Sequence, residues 1–472
     1  MRTEEDFIGK VQVPDQAYYG SFTARAAENF RLSGMKVHPE LIRSLALVKK
    51  CAARANAELG RIDQKTAGAI VKAADEVIAG KHDKEFILDA FQAGAGTPLH
   101  MNMNEVIANR AEEILGGRKG EYKLVHPNNH VNMAQSSNNE VPSAIKIAAL
   151  RLATRTMKEA ETLQKAFEAK GENYKDVMKI GRTHLQDAVP MTYGQLFGAY
   201  ARAIEKDRES IRRSLDCIRE IGIGGTAIGS GITAHPKFSE KTIAYLNKES
   251  GLGLKDAKDG FELTQNMNDL LSVSASLRGY AITLNRIAND LRLLASGPKA
   301  GIAEIILPEV EPGSSIMPGK VNPSIPEAVN MACFQVIGND QAVVLAAQAG
   351  QLELNFATPL IAHDIFQSAE LLANCSEMFR RFCIEGLRVD KERTKENLER
   401  SFGYATALNP YLGYKEVSLL VKEAYQKKMS LKELILQKGI MGKGDLEKIA
   451  ASATGPSEVD QGIMKRIKKK EN

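Results

Sequence analysis

A segment rich in glycine and serine, from Gly313 to Asn322, carries residue types that can bind and transform an anionic substrate. It reads GSSIMPGKVN and supplies backbone donors, two hydroxyl groups, one lysine charge and one amide. Such donors suit a carboxylate ligand. Glycine, serine, proline and asparagine also form ordinary surface turns for local conformational reasons. Taken alone, the segment therefore fits either a turn or an anion site.

Three other polar islands interrupt sequence that otherwise favours helices, and such breaks often carry function. They read AGAGT at 93–97, QSSNN at 135–139 and GRTHLQD at 181–187. In the last island, His184 fits either an acid–base catalyst or a structural residue. Ser136 fits an N-cap for a helix that begins near Pro142. A helix N-terminus also binds carboxylates, so the two roles can coexist.

Long helices are expected to position these islands, because an interior proline disrupts a helix and long stretches of the chain have none. Four such stretches lie in its middle: 143–189, 191–235, 237–297 and 327–358. Apolar residues in the first recur near the helical period, at Ile147, Leu150, Leu163 and Phe167. These stretches favour a helical bundle.

The apolar run from Leu270 to Leu294 is too apolar for a helix with one face in water, so we expect it to be buried between partners, such as subunits. Strand-like runs at 11–14 and 305–308 are short and end at proline. The sequence therefore predicts a mainly α fold with only small sheet fragments.

Composition narrows the class of protein. The 472 residues are 43% hydrophobic and 26% charged, with a net charge of +5, as in ordinary globular proteins. We expect no nucleic-acid partner, since the one dense basic run, Lys465 to Lys470, has no interleaved aromatic residues. The five cysteines show no CxxC pair, which predicts reduced thiols. Without a secretory signal or a long apolar span, we expect a cytoplasmic protein that does not enter membranes.

Together, the four islands resemble the aspartase/fumarase superfamily over essentially the whole chain. GSSIMPGKVNP, from Gly313 to Pro323, is similar to the signature loop of that family, and GRTHLQDA, QSSN and AGT resemble its other motifs in order and separation. The resemblance implies a mainly α fold of three regions. Residues 1–137 would be mixed but mainly helical, 138–390 a long-helix bundle with the catalytic loop, and 391–472 a small helical end. The bundle would form the core of a homotetramer.

The resemblance also implies a chemical role for Ser314 as the general base that removes a carbon-bound proton next to a substrate carboxylate. The carboxylate would take up the second negative charge as an aci-carboxylate facing preorganised donors. The donors implied for that group are Thr97, Ser136, Ser137 and the backbone of Ser315. Closure of the loop would exclude water and place Ser314 among donors that stabilise its anion.

The remaining site residues are assigned by the same resemblance. The second carboxylate of a small dicarboxylate or amino-acid substrate would bind to Thr183, Lys320 and Asn322. The leaving group would meet Asn138 and His184, with the imidazole oriented by Glu327. Sites would be shared between subunits. No metal and no cofactor is expected, because lysine and hydroxyl donors meet the substrate charge.

The leaving group is suggested by the sequence around these motifs. The start of the chain, from Glu4 to Gly20, resembles aspartases, as do Gly94 to Thr97 and Pro326-Glu327, whereas Val125 to Pro127 resembles fumarases. The resemblance therefore favours reversible elimination of ammonia from L-aspartate to give fumarate. Hydration of fumarate is the alternative.

Several departures from the family pattern lie beside the implied substrate contacts. His100 replaces a usual asparagine, Asn139 a usual aspartate, and Pro98-Leu99 small polar residues. The stretch 356–359, which includes Thr358, lacks the usual charged residue. His100, Asn139 and Thr358 are therefore candidate specificity residues. A lyase that eliminates a different amine stays open, as does a catalytically silent structural relative, although the intact motifs argue against the latter.

Overall fold

The computed structural model describes residues 1–471 and confirms the mainly α fold. Within that range the α-helices are α1 (Ser21–Asn29), α2 (Pro39–Glu58), α3 (Gln64–Ile78), α4 (Thr97–Ile114), α5 (Ser137–Asn173), α6 (Tyr193–Cys217), α7 (Phe238–Ser250), α8 (Gly260–Gln265), α9 (Asn268–Leu294), α10 (Ser324–Gln348), α11 (Thr358–Phe379), α12 (Lys391–Arg400), α13 (Tyr404–Leu412), α14 (Tyr414–Gln426), α15 (Leu431–Gln437), α16 (Lys443–Ser452) and α17 (Gln461–Glu471).

The strands of the described residues form two-stranded sheets only. The pairs are β1 (Arg2–Asp6) with β2 (Gly9–Val13), β3 (Met178–Thr183) with β4 (Gln186–Thr192), β5 (Glu220–Ile221) with β6 (Lys255–Asp256), and β7 (Ile305–Ile306) with β8 (Arg388–Val389). The two short runs expected to be strands, 11–14 and 305–308, overlap β2 and β7. The prediction of small sheet fragments is confirmed.

Each proline-free stretch holds all or most of one long helix, α5, α6, α9 or α10, of 25 to 37 residues. Two of them start before their stretch, because α5 includes Pro142 and α10 includes Pro326. In α9, residues spaced alternately by three and four have no exposed surface: Leu270, Val273, Leu277, Tyr280, Leu284, Ile287 and Leu291. This spacing produces one continuous apolar stripe. Most of the apolar run is thus buried within the single chain, where we had expected burial between partners. Ile282 and Leu293 of α9 are exposed, and further exposed apolar side chains lie on α10, at Met331, Phe334 and Leu345.

The first proline-free stretch is not helical to its end, because α5 stops at Asn173 and the chain then forms the β3–β4 hairpin. The strands pair in antiparallel register, with Thr183 opposite Gln186. A two-residue hairpin turn is normally signalled by Asn-Gly or Asp-Gly. Here the turn residues are His184 and Leu185, so the sequence carried no such signal.

The chain divides into two compact units. Unit 1 comprises Met1–Glu159, Asp207–Ile282 and Ala332–Asn374, and unit 2 comprises Ala160–Lys206, Thr283–Met331 and Cys375–Asn472. The three-region division at 137 and 390 stays a prediction. In unit 1, buried Glu105 of α4 accepts hydrogen bonds from the backbone N–H groups of Gly20, Phe22 and Thr23 at 2.9 to 3.1 Å. This carboxylate caps α1, whose N-cap glycine has no side chain to do so.

In unit 2, the helices after residue 390 enclose an apolar core of their own, which includes Leu398, Leu408, Leu420 and Leu434. The final helix α17 holds the basic run, and the side chains of residues 468–472 lie outside the described part. Among the described residues, no helix combines the length and apolar character needed to cross a membrane. All five cysteines are free thiols.

Candidate active site

The serine island in unit 1 forms the N-terminus of α5. Ser136 precedes the helix, and its Oγ accepts the backbone N–H of Asn138 at 3.3 Å. Its own N–H donates to Oε2 of Glu140 at 2.9 Å. The N-cap prediction holds, although the helix starts at Ser137, before the expected Pro142. Ser136 also lines an open polar cleft with Asn132, Gln135, Thr226 and Ala227. Amides, a hydroxyl and a helix N-terminus are suitable ligands for a carboxylate.

The two asparagines that follow have different environments. Asn138 is half-buried and donates from Nδ2 to the carbonyl of Ala227 at 2.7 Å. Asn139 is buried and donates to Oγ1 of Thr264 at 3.0 Å. A Cβ atom at Gly225 would come within 2.8 Å of the Asn139 amide nitrogen, so the two segments pack closely. Within this chain, Asn139 therefore binds protein groups.

The glycine island positions Thr97 at the first residue of α4. Gly96 has φ of 82°, and a Cβ atom there would lie 2.7 Å from Cγ1 of Val141 in α5. Only glycine allows this backbone conformation and this close approach together. The starts of α4 and α5 are thereby held against each other. Thr97 is half-buried and donates from Oγ1 to the carbonyl of Gly94 at 2.7 Å.

A buried polar cluster joins α2, α4 and α5 inside unit 1. Nζ of Lys49 lies 2.5 Å from Nε2 of His100, and Nδ1 of His100 lies 2.9 Å from Oγ of Ser137. Burial lowers the pKa of Lys49 and raises that of its neighbour Glu140. Burial also keeps the pKa of His100 well below its usual value, assisted by the charge of Lys49. His100 therefore stays neutral next to a predicted substrate ligand.

Sequence reasoning missed Lys49. A lysine in the apolar stretch LALVKKC of α2 would ordinarily extend its charge to solvent. The available signal was position, because Lys49 lies four residues after the buried Leu45 and so shares its face of the helix.

Thr358, the third candidate specificity residue, begins α11 and is only 1% exposed. Its hydroxyl has no hydrogen-bond partner among the described residues. An influence on substrate choice would therefore have to act through neighbouring side chains, and its specificity role stays a prediction.

In unit 2, Thr183 and His184 lie at the tip of the β3–β4 hairpin, and both are exposed. Glu304, which is fully buried, binds Arg182 of β3 and Tyr193, the residue that follows β4. Its Oε1 accepts from Arg182 at 2.6 Å and its Oε2 from the hydroxyl of Tyr193 at 3.1 Å. Burial alone would raise the pKa of Glu304, but Arg182 and Lys179 hold it below its usual value. The ion pair of Glu304 with Arg182 thus anchors the hairpin two residues before the exposed His184.

The hairpin turn itself is strained, because His184 and Leu185 have φ of 55° and 60°. Left-handed backbone costs about 1–2 kcal/mol for a residue with a Cβ atom. Since the Leu185 side chain is exposed, we expect Leu185→Gly to stabilise the protein by about 0.5–1 kcal/mol after the added entropy of the unfolded chain. Chemical denaturation measures the change. Leu185→Ala keeps the Cβ atom and is the control; an equal gain in that variant would contradict the strain.

The Gly313–Asn322 loop in unit 2 folds back on itself. The N–H of Ser314 donates to the carbonyl of Lys320 at 3.1 Å, and the N–H of Lys320 donates to the carbonyl of Met317 at 3.2 Å. Gly313 has φ of 90°, and a Cβ atom there would lie 2.6 Å from the Lys320 carbonyl oxygen. Glycine is therefore required where the loop closes.

Two backbone N–H groups of the loop point at the hydroxyl of Ser314. Its Oγ accepts the backbone N–H groups of Ile316 at 3.3 Å and Met317 at 3.2 Å. Successive backbone donors of this kind stabilise an anion. Ser315 and Lys320 are exposed, and Asn322 is half-buried. The loop thus brings together the Ser314 hydroxyl, the exposed backbone at Ser315 and the positive charge of Lys320.

Glu327, in the first turn of α10, lies 3.6 Å from Nη2 of Arg292. Arg292 also donates to Oδ1 of Asn330 at 3.0 Å. The predicted pairing of Glu327 with His184 stays a prediction.

Known proteins show the family of this chain. A family model described as Lyase matches residues 9–338, and one described as Fumarase C C-terminus matches residues 405–453. An aspartate ammonia-lyase from a Bacillus species is 46% identical over 449 residues, covering 95% of this chain and 96% of that protein. A class II fumarate hydratase from Chromobacterium violaceum is 44% identical over 440 residues, covering 93% of this chain and 95% of that protein.

Solved structures agree. The fumarate lyase:delta crystallin of Brucella melitensis, bound to cobalt, has a TM-score of 0.93 and 43% identity, covering 96% of this chain and 100% of that one. The Lyase model spans most of the chain, and these relatives align over nearly all of it. The chain therefore belongs to the aspartase/fumarase superfamily, the lyase family that includes aspartate ammonia-lyases and class II fumarases.

Proposed function

We propose that this lyase is an aspartate ammonia-lyase, which reversibly eliminates ammonia from L-aspartate to give fumarate. The observation that carries the proposal is the loop around Ser314, where two backbone N–H groups donate to Oγ. Such an arrangement fits a serine that acts as a base towards a weakly acidic C–H bond. Similarity to proteins named aspartate ammonia-lyase, at 46% identity, supports ammonia as the leaving group.

In the proposed reaction, Ser314 reacts as its alkoxide, takes a proton from the carbon next to one carboxylate and becomes a neutral hydroxyl. The C–H electron pair moves into that carboxylate and forms an aci-carboxylate, which donors at Thr97, Ser136, Ser137 and the Ser315 backbone would stabilise. The electron pair then forms the double bond as the C–N bond breaks, and ammonia leaves with the C–N electrons. The proton and the amine leave from opposite faces, as in an anti elimination.

The other groups hold the substrate in place. We propose that the second carboxylate binds to Thr183, Lys320 and Asn322. His184 and Asn138 would meet the departing amine, and the exposed position of His184 at a hairpin tip leaves it free to do so. The chemistry derived for these residues needs no cofactor. With five free thiols, we also propose that the enzyme works in the cytoplasm.

Fumarate hydration is the second candidate, supported by the relative named as a class II fumarate hydratase at 44% identity. A different amine as leaving group is a third candidate, because His100, Asn139 and Thr358 depart from the family pattern. All three reactions share proton abstraction beside a carboxylate. A catalytically silent relative is disfavoured because Ser314, Lys320 and His184 of the family motifs are all present.

We further propose a homotetramer with active sites shared between subunits. Helix α10 exposes Met331, Phe334 and Leu345 by 65%, 58% and 61% of their surfaces, which is costly in water. Light scattering should therefore give four times the chain mass. A fully active monomer would contradict both the tetramer and the shared sites.

The proposed function is tested by incubating the purified enzyme with L-aspartate and measuring fumarate by its ultraviolet absorbance and ammonium by a coupled assay. The two products should appear in equal amounts. A panel of other amino acids and of hydroxy acids, run in parallel, identifies the substrate if L-aspartate is inert. If no member of the panel gives an unsaturated product, the result favours a catalytically silent relative.

A further inference from the structure

We propose that Lys49 and His100 form a hydrogen-bond relay that orients the hydroxyl of Ser137 so that it donates to the substrate carboxylate. The inference rests on the proposed function only in taking Ser137 as a substrate ligand. Neither Lys49 nor His100 touches substrate in this account. Both are positioning residues.

The direction of the relay follows from the surroundings of Lys49. Its Nζ lies 3.0 Å from Oδ1 of Asn132, 2.9 Å from Oε1 of Gln135 and 2.5 Å from Nε2 of His100. The amide of Gln135 is fixed in this orientation, because its Nε2 donates to the carbonyls of Val131 and Met133. An ammonium group has three hydrogens and no acceptor. In that ammonium form, which the nearby Glu140 carboxylate favours against the effect of burial, Lys49 donates to all three neighbours.

His100 transmits this direction. Because Nε2 accepts from Lys49, the hydrogen of the neutral ring must be on Nδ1. Nδ1 then donates to Oγ of Ser137 at 2.9 Å. The ring is buried, with 1% of its surface exposed, so water does not compete for either nitrogen.

The Ser137 oxygen therefore accepts a hydrogen bond from Nδ1 of His100. Its own hydrogen is then free to point at a ligand at the start of α5. With the opposite tautomer of His100, the hydroxyl would donate to Nδ1 and turn its lone pairs towards the ligand. A carboxylate that gains a second negative charge would be repelled. The relay thus makes Ser137 a donor.

The charge that sets the relay is balanced nearby. Lys49 faces His100 of α4 and the carboxylate of Glu140 in α5, whose Oε1 accepts from the N–H of Gly224 at 3.2 Å and whose Oε2 accepts from that of Ser136. Glu140 thereby supports both the Lys49 charge and the backbone of the neighbouring serine. Glu140 thus connects the buried Lys49 with Ser136, one of the proposed substrate donors.

The kinetic test is a double-mutant cycle between His100 and Ser137. His100→Leu should lower kcat about 10- to 100-fold, because a donor is misoriented, while KM changes less than about threefold. His100→Asn, which keeps an amide donor near the Nδ1 position, should recover most of this loss. In the Ser137→Ala background, His100→Leu should change kcat by less than about twofold. Equal effects of His100→Leu in both backgrounds would overturn the relay.

Two controls keep the outcome interpretable. His82 is another buried histidine of unit 1, and its Nε2 lies 3.0 Å from Glu76. His82→Leu should lower stability without a specific loss of kcat, which shows what a structural histidine does. The test of the relay does not depend on the identity of the substrate, because the cycle can be run with whichever dicarboxylate the enzyme transforms. Turnover of L-malate alone would thus refute the proposed leaving group and leave the relay testable.

A second readout does not depend on activity. The nitrogen NMR spectrum of histidine-labelled enzyme, assigned by its difference from His100→Asn, should show His100 neutral with hydrogen on Nδ1. A hydrogen on Nε2 would overturn the relay, whether or not the enzyme is active on aspartate.

Discussion

Ser314→Ala should lower kcat by about 1000-fold and leave KM within about threefold of its original value. A general base contributes about 100- to 10,000-fold to a rate, and it acts in the transition state more than in the bound ground state. The backbone N–H groups of Ile316 and Met317 that donate to Oγ would lose their acceptor. Because both groups lie in an exposed loop, water replaces it and the fold is retained. Steady-state kinetics and thermal denaturation measure these effects.

The matched control is Ser324→Ala. Ser324 follows the same loop, and its Oγ donates to Oε2 of Glu311 at 3.0 Å. Neither Ser324 nor Glu311 is a predicted substrate ligand. Its replacement should leave kcat within about twofold of the original. Near-normal turnover in Ser314→Ala would refute the assignment of the base. An equal loss in both variants would point to general damage to the loop.

Lys320→Met should weaken substrate binding, with KM rising about 150-fold. The lysine charge is exposed in the single chain, and the proposed substrate carboxylate would be its partner in a closed loop that excludes water. Truncating one partner of such a charge pair costs about 3 kcal/mol, which corresponds to that ratio. The loss should appear mainly in KM, because this carboxylate keeps its charge throughout the reaction.

Lys299→Met is the control for net charge, since Lys299 is also an exposed lysine of unit 2. It should leave KM within about twofold of the original. Lys320→Arg should recover only part of the affinity, because a guanidinium places its donors in a different geometry. An unchanged KM in Lys320→Met would mean that the second carboxylate binds elsewhere.

Much of the helical architecture could be predicted because two physical constraints are visible in the sequence. Proline is disfavoured in the interior of a helix, so long helices are expected where proline is absent. Apolar residues must recur near the helical period if one side of the helix is to be buried. Both were enough to predict the long helices, including the buried positions Leu150 and Phe167 of α5. Because the buried residues of each helix recur along one face, these helices could be predicted from sequence without knowledge of their tertiary contacts.

The parts that escaped prediction depend on contacts between distant residues. The β3–β4 hairpin turns at His184 and Leu185, which lack the intrinsic preference of glycine for positive φ, so support from Glu304 has to impose the turn. Lys49 looks like a solvent-exposed residue until Asn132 and Gln135 are known to surround it. Strain and buried charge both arise where tertiary structure overrides local preference.

The candidate site shows the same division. The polar islands were predicted because helical sequence surrounds them, and the structure adds what their residues bind within the chain. Ser314 receives two backbone donors, Asn139 pairs with Thr264, and Thr358 is buried. We therefore expect Asn139 and Thr358 to affect the site through the residues that they contact, and not by binding substrate directly.

The leaving group is the central claim, and the ratio of kcat/KM for L-aspartate to that for L-malate, measured with one preparation, tests it most directly. Both substrates give fumarate, so one ultraviolet signal reports both reactions. The proposed function predicts a ratio of at least about 1000, equivalent to about 4 kcal/mol of discrimination in favour of the amine. A ratio below one would contradict it and identify the enzyme as a fumarate hydratase.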